Sequence, residues 1–520
     1  MKFKAITHAT SVYLKPIFIS ALSLSFTLLP HLYAGQKVPA KGMGSKIKNV
    51  LFIICDDLNT HVSPAGYSPI KTPALDKLAS ESMTFNRAHC QYPVCAGSRA
   101  SLLSGLYPES TGLYLDKYTG HGPESDIGKL RPGSMSLPVF MKEKGYWTAM
   151  TGKIFHTPYH DPAAGTLDAN MHFGNDELPV IIKARKQFES KNGSIHGAGN
   201  QKKWKKVLNE VLYGLHTQIP AGKGRSGLRD EQHADGKNAR QVAKWLKDNA
   251  EGDKPFFIAC GIQKPHVPFL APDKYFDLYP LEDIVYTPDD PKLWDTLPQL
   301  AINERYQQFG FEFSVENDKL RREYMQAYHA CITFIDAQLS LIMDALKASG
   351  HDEDTLVIFT SDHGYHLGDH FMWGKFSLFD IGTKVPFIVR APGLTPAGSS
   401  SEAMVELIDI FPTITDLLGL DAPDQMQGLS LVKLFSNPKS LGDRKVAYTI
   451  MGRGDQLGYA LRDQSWRYGK WPDGEELYDI RKDPQEKNNL ANDARYKNKL
   501  SAFRVLLTQK QKEASSRRHN

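Results

Sequence analysis

Two acidic clusters each follow an apolar, strand-like run. Asp56-Asp57 comes after Val50–Cys55, and Asp362-His363 comes after Leu356–Thr360. In open α/β sheets, ligands gather just beyond the carboxyl ends of strands. Adjacent carboxylates there are costly unless positive charge lies between them. A lone Asp-Asp would read as a solvated turn or a helix cap. Two strand ends that each deliver acids instead converge on one cation, and hard oxygen donors suit calcium or magnesium. Cys95 opens the run Cys95-Ala96-Gly97-Ser98-Arg99. A helix starting there would present partial positive charge to an anion, with Arg99 one turn on along the same face. Lys153, His156, His266 and Lys375 follow in motifs of their own. Histidine titrates in the range useful for proton transfer. Taken singly, each has a bland reading as surface charge or packed side chain; their shared order along the chain raises them.

These side chains need elements to hold them. Ile-, Val- and Phe-rich runs alternate with amphipathic helices, which predicts an α/β fold with a mostly parallel sheet covered on both faces. The clearest strands are Val50–Cys55, Phe256–Gly261, Thr355–Thr360 and Pro386–Arg390. One helix is predicted over Asp318–Ala348, its apolar positions Tyr324, Tyr328, Cys331, Ile335, Leu339, Ile342 and Leu346 recurring every three or four residues. Another covers roughly Gln232 to Asn249. Residues 156–229 read as a polar, Lys- and Gly-rich loop insertion. From about Asp443, strand-like runs indicate a smaller C-terminal α+β subdomain with a frayed charged tail after Gln509. The expected division is 1–34, 35–440 and 441–520.

The first 34 residues read as a secretory signal, with Lys2, Lys4 and Lys15 before an apolar stretch and a small-residue end at Ala34. Export to the periplasm or beyond is expected. No later run is a clear membrane span. The chain has 520 residues and a formal charge of +5, three units of which lie in that leader. That is no footprint for nucleic acid. Five cysteines (Cys55, Cys90, Cys95, Cys260, Cys331) form neither a close-spaced metal motif nor a disulfide framework, and buried free thiols are expected.

The run from Cys95 to Gly105 is similar to the signature of type I sulfatases, a family on the alkaline-phosphatase-like fold. Thr151-Gly152-Lys153-Ile154-Phe155-His156, Gln263-Lys264-Pro265-His266, Ser361-Asp362-His363-Gly364 and Trp373-Gly374-Lys375 resemble further family elements, and the likeness runs from about Lys48 to Leu490. Leu58-Asn59, the Lys-Pro-His element and Tyr328-His329-Ala330-Cys331 resemble the iduronate-2-sulfatase group and its bacterial relatives. Where the family pattern has Pro or Ala two residues after the cysteine, this chain has Gly97. The resemblance implies that a maturase oxidises Cys95 to formylglycine, whose hydrate attacks sulfur. It implies a divalent cation, expected to be calcium, on Asp56, Asp57, Cys95, Asp362 and His363. It further implies that Arg99 holds the hydrate, Lys153 and Lys375 clamp sulfate, His156 assists hydrate breakdown, and His266 serves the leaving oxygen. The substrate class implied is a sulfated, uronate-containing polysaccharide or oligosaccharide, from a glycosaminoglycan or an alga. The insertion at residues 156–229, Lys264, Trp373, Arg453 and Arg467 are candidate substrate contacts. Two alternatives stand: a phosphatase or phosphonate hydrolase of the same superfamily, and an unconverted carbohydrate-binding protein.

Overall fold

Alternation along the strand Asn49–Asp56 (β1) organises the molecule. Every residue of it is buried. Leu51, Ile53 and Cys55 face one apolar cluster, Val50, Phe52 and Ile54 the other. A strand apolar on both sides requires cover over both faces. The computed structural model, which describes residues 46–114, 126, 133–157, 161–216, 222–285, 289–303 and 318–516, supplies it. The expected signal, residues 1–34, lies outside the described residues.

Seven further strands complete the sheet: Met83–Phe85 (β2), Trp147–Gly152 (β3), Ala169–Met171 (β4), Phe256–Pro265 (β5), Thr355–Ser361 (β6), Phe387–Arg390 (β7) and Ser399–Ser401 (β8). Their spatial order is β8-β2-β7-β6-β1-β5-β3-β4. β1 runs parallel to β5 and β6, and β3 parallel to β4 and β5. β7 is antiparallel to both β6 and β2. The expected mostly parallel α/β architecture is present, and the carboxyl ends of β1, β3, β5 and β6 all open on one edge.

The helices that matter below are Cys95–Ser104 (α1), Pro179–Asn192 (α2), Asn200–His216 (α3), Ala234–Asp248 (α4), Asp318–Ala348 (α5) and Lys497–Ser515 (α6). α5 has the predicted bounds, and all seven of its predicted core positions are buried. It is long and apolar enough to cross a membrane by composition, but most of that stretch is buried inside the protein. It covers the Leu51 face with α4, while Leu102 and Leu103 of α1 lie in the cluster on the other face. The five thiols are free and buried.

Two expectations require correction. The insertion at 156–229 is not an irregular loop, because α2 and α3 form within it; Phe188 and Trp204 give each helix an apolar stripe to bury, their rings 5.6 Å apart edge to face. The tail after Gln509 is not frayed up to Ser515 either. It is the end of α6, which buries Leu500, Phe503, Leu507 and Ala514 against a four-stranded antiparallel sheet. That sheet comprises Ala447–Arg453 (β9), Gln456–Arg462 (β10), Trp466–Trp471 (β11) and Gly474–Asp479 (β12), in sequential order.

Candidate active site

The carboxyl ends of β1 and β6 bring their acids together. Asp56 closes β1, and Asp57 turns off it with φ 66°, a left-handed backbone that a non-glycine residue seldom adopts. Tyr328 of α5 holds this turn from behind: its hydroxyl donates to the Asp57 carbonyl at 2.7 Å and accepts from the Asn59 amide at 3.0 Å. Asp362 follows β6, and its carboxylate accepts from the amides of Asp57 at 3.2 Å and His363 at 2.9 Å. Asp56, Asp57, Asp362 and His363 are all fully buried.

α1 delivers Cys95 to this cluster from its first turn. The Cys95 sulfur lies 3.1 Å from Asp56 Oδ1 and 3.4 Å from His363 Nε2. Lys375 bridges the Cys95 sulfur (2.9 Å) and Asp57 Oδ1 (2.8 Å). Lys153 pairs with Asp56, and His156 and His266 also reach the sulfur. His266 donates through Nδ1 to the Val267 carbonyl, leaving Nε2 4.0 Å from Asp57. Lys153 and Gly261 come so close that a Cβ on Gly261 would fall 2.1 Å from the Lys153 carbonyl carbon, so only glycine fits at that position of β5. Arg99 directs its donors at Asp362 (2.8 Å) and at the carbonyls of Cys55 (3.2 Å), Lys153 and Ile154. It thereby ties the ends of β1, β3 and β6 to α1.

The electrostatics follow from burying so many charges in one place. Burial opposes ionisation of the Cys95 thiol, but Lys153, Lys375 and His363 reverse this and hold it well below its ordinary value. Burial likewise disfavours the Asp56 carboxylate, yet Lys153, His266 and Arg99 prevail and keep it ionised below the usual range. At Asp362 burial wins over Arg99 and His363, raising the carboxyl to about 7. His363 resists burial because Asp362, Cys95 and Asp57 surround it, and it rises to about 9.

Such a site attracts positive charge, and the donors fit a divalent cation. Ligand atoms of Asp56, Cys95, Asp362 and His363 lie within 4.8 Å of one another, as do those of Asp56, Asp57, Cys95 and His266. Asp57 Oδ2 is buried with no hydrogen-bond partner among the described residues. His363 donates its Nδ1 proton to the Gly364 carbonyl at 2.9 Å, which aims Nε2 inward as metal-binding histidines do.

A sulfatase family model matches residues 48–420, and that of the N-sulphoglucosamine sulphohydrolase C-terminal region matches residues 368–513. The chain belongs to the sulfatase family. It is 34% identical over 469 residues to a sulfatase of Formosa agariphila, covering 88% of this chain and 86% of that one. It is 28% identical over 577 residues to iduronate 2-sulfatase of Mus musculus, covering 93% and 98%. The fold is that of phosphonate monoester hydrolase of Agrobacterium radiobacter, with a TM-score of 0.68 at 24% identity over 90% of this chain and 96% of that one. The protein is therefore a sulfuric ester hydrolase with an alkaline-phosphatase-like core.

In this sulfatase, Lys264, Trp373 and Arg467 are buried and Arg453 is half-buried, and all four side chains make contacts within the protein. The Lys264 ammonium is buried and donates to the carbonyls of His266 (3.1 Å) and Pro268, bracing the turn that carries His266. Asp235, beneath it, accepts from the amides of Gln263 (2.7 Å) and Lys264 (2.9 Å). Trp373 is buried with its ring 5.5 Å from that of Tyr324. Arg467 is buried between Glu476 and Glu486 under the rings of Phe379 and Tyr478. Arg453 donates to the carbonyls of Leu300 and Phe376, next to Lys375. Tyr328 and Asp235 escaped the functional reading because a buried tyrosine on a helix and an acid near a helix start look like ordinary structure. The unusual backbone at Asp57, which makes Tyr328 matter, leaves no trace in composition.

Proposed function

We propose that the chain hydrolyses sulfate esters on a sulfated, uronate-containing polysaccharide or its oligosaccharides, using a formylglycine made from Cys95. The observation that carries this reading is the seat of Cys95. It lies at the start of α1, within contact of Asp56, His363 and Lys375, where a simple thiol has no evident structural task. A hydrated aldehyde at that position supplies one hydroxyl for attack on sulfur and a second whose electrons expel sulfate as the carbonyl re-forms. A serine-type ester would lack that second hydroxyl.

The remaining roles fall to the chain's own groups. Lys153 and Lys375, paired with Asp56 and Asp57, would hold sulfate oxygens beside the nucleophile. His266, its Nδ1 proton committed to a carbonyl, presents Nε2 to protonate the departing sugar oxygen. His156 takes the proton released as the hydrate breaks down. Asp56, Asp57, Asp362 and His363, with the group at position 95, would hold calcium, which when bound neutralises sulfate charge. Export through the 1–34 leader and conversion of Cys95 by a maturase belong to the same reading, as does a functional division near residue 440. The uronate-containing substrate is supported by the likeness to iduronate 2-sulfatase.

Peptide mass spectrometry of the fragment holding Cys95, from protein exported by its host, is expected to show the thiol sulfur replaced by an aldehyde oxygen. A thiol that alkylates normally with iodoacetamide would sink the mechanism and favour a carbohydrate-binding protein. Turnover of aryl sulfate well above aryl phosphate is expected. The reverse preference would favour the phosphonate or phosphate chemistry of the neighbour with the same fold.

A further inference from the structure

The hairpin of α2 and α3 holds the electrostatic asymmetry of the whole chain. Residues 179–216 contain eight Lys and Arg against two acids, Glu189 and Glu210, a net +6 in a chain whose total is +5. The rest of the protein is therefore slightly negative. Lys183, Lys186, Lys202, Lys203 and Lys205 are exposed and make no ion pair among the described residues. Spacings of three and four residues set these lysines in rows along the helices.

The hairpin is also fastened beside the active site. Leu178, at its entry, packs with Leu228 and with Leu270. Past its exit, Lys223–Arg225 pairs in parallel with Phe269–Ala271, the short strand that follows the His266 turn. Both ends of the basic arm are thus tied to the segment that carries the histidine facing Asp57.

We propose that this hairpin is a landing surface for the sulfated polysaccharide chain, holding units of the polymer outside the catalytic pocket. The proposal rests on the sulfatase reading of the active site. Lysines on flexible stems act as point charges that follow a repeating polyanion without demanding one sequence of sugars. Two other polyanionic partners fit less well. Single-stranded nucleic acid would need exposed aromatic rings for stacking, and Trp204 is packed on Phe188. A membrane surface would need an outward apolar stripe; among the described side chains of the hairpin Ile182 is the one exposed large apolar group, and Phe188 is buried.

The test is the variant Lys202→Gln, Lys203→Gln, Lys205→Gln, Lys206→Gln in the full mature enzyme. Activity is measured on a sulfated glycosaminoglycan polymer and on a small aryl sulfate, at about 25 and about 300 mM NaCl. The wild-type KM for polymer is expected to rise steeply with salt. The variant is expected to show a KM for polymer raised about tenfold at low salt with a flattened salt response, and an aryl sulfate kcat/KM within about twofold of wild type. Equal losses on polymer and aryl sulfate, or an unchanged KM for polymer, would overturn the proposal. Retention on a sulfated-polymer resin gives a second readout that needs no turnover. Wild type is expected to elute at higher salt than the variant. Failure of wild type to hydrolyse aryl sulfate, with retention intact, would instead sink the catalytic reading. Binding of wild type to phosphatidylserine vesicles in preference to the resin would assign the hairpin to a membrane and overturn the polysaccharide.

Discussion

At the scale of single residues, the site depends on Asp57 keeping a backbone conformation that costs energy wherever a side chain is present. Tyr328 stabilises it with two buried hydrogen bonds through one hydroxyl, 2.7 Å to the Asp57 carbonyl and 3.0 Å from the Asn59 amide. Tyr328→Phe preserves the ring packing and removes only that hydroxyl. It leaves the Asn59 amide buried without its acceptor, a cost of about 1–3 kcal/mol, so in a chain of this length the apparent Tm falls by about 1–3 °C. Because Asp57 is a candidate metal ligand, a weaker stabilisation by added calcium is also expected. A thermal-shift titration separates the two effects. A lower Tm with an unchanged calcium midpoint would make Tyr328 purely structural.

At the scale of elements, α1 explains the departure at Gly97. A Cβ built there would fall 2.5 Å from Tyr92 Cδ1 and 2.8 Å from the Leu113 carbonyl oxygen. Tyr92 cannot retreat freely, since its hydroxyl donates to the Tyr114 carbonyl at 2.8 Å and accepts from the Gly452 amide at 3.2 Å. The alanine that the family pattern admits is therefore excluded here by the neighbouring ring. Gly97→Ala is expected to destabilise the folded protein by about 1–3 kcal/mol, the usual range for overpacking a tight core. Chemical denaturation measures it, and a variant as stable as wild type would show that Tyr92 gives way without cost.

At the scale of the whole molecule, burial of neutral histidines couples stability to pH. Burial depresses His89 to about 3. Burial, reinforced by His61, depresses His329 to about 3 as well. Their unfolded counterparts titrate near 6.5. A folded value below the unfolded one means that the unfolded chain binds the proton more readily. The stabilisation is thus complete above about pH 6.5 and is lost as pH falls towards 3. At pH 4.5 each histidine would have given up about 3 kcal/mol. The apparent Tm should drop between pH 7 and 4.5, and His329→Gln should make that drop shallower. An equal drop in the variant would place the acid sensitivity elsewhere.

Read without coordinates, the chain already determined the family, the α/β class and the bounds of α5, because these rest on periodicity and on short motifs whose residues carry the chemistry themselves. The eight-strand order, the antiparallel β7 and the strand β10 needed tertiary structure, since local pattern does not say which strands pair. Cys95, the carboxylates, His363 and Lys375 stood out in sequence by type and order. Lys264, Trp373, Arg453 and Arg467 looked equally suited to a substrate, and only packing showed that carbonyls, rings and acids take up their side chains. The hairpin in the insertion was hidden for the opposite reason. Its polar, Lys-rich composition resembles a loop, and its helices form because each buries one stripe against the other. Residue type announces what a side chain can do; the neighbours that fill its donors and cover its faces decide what it does.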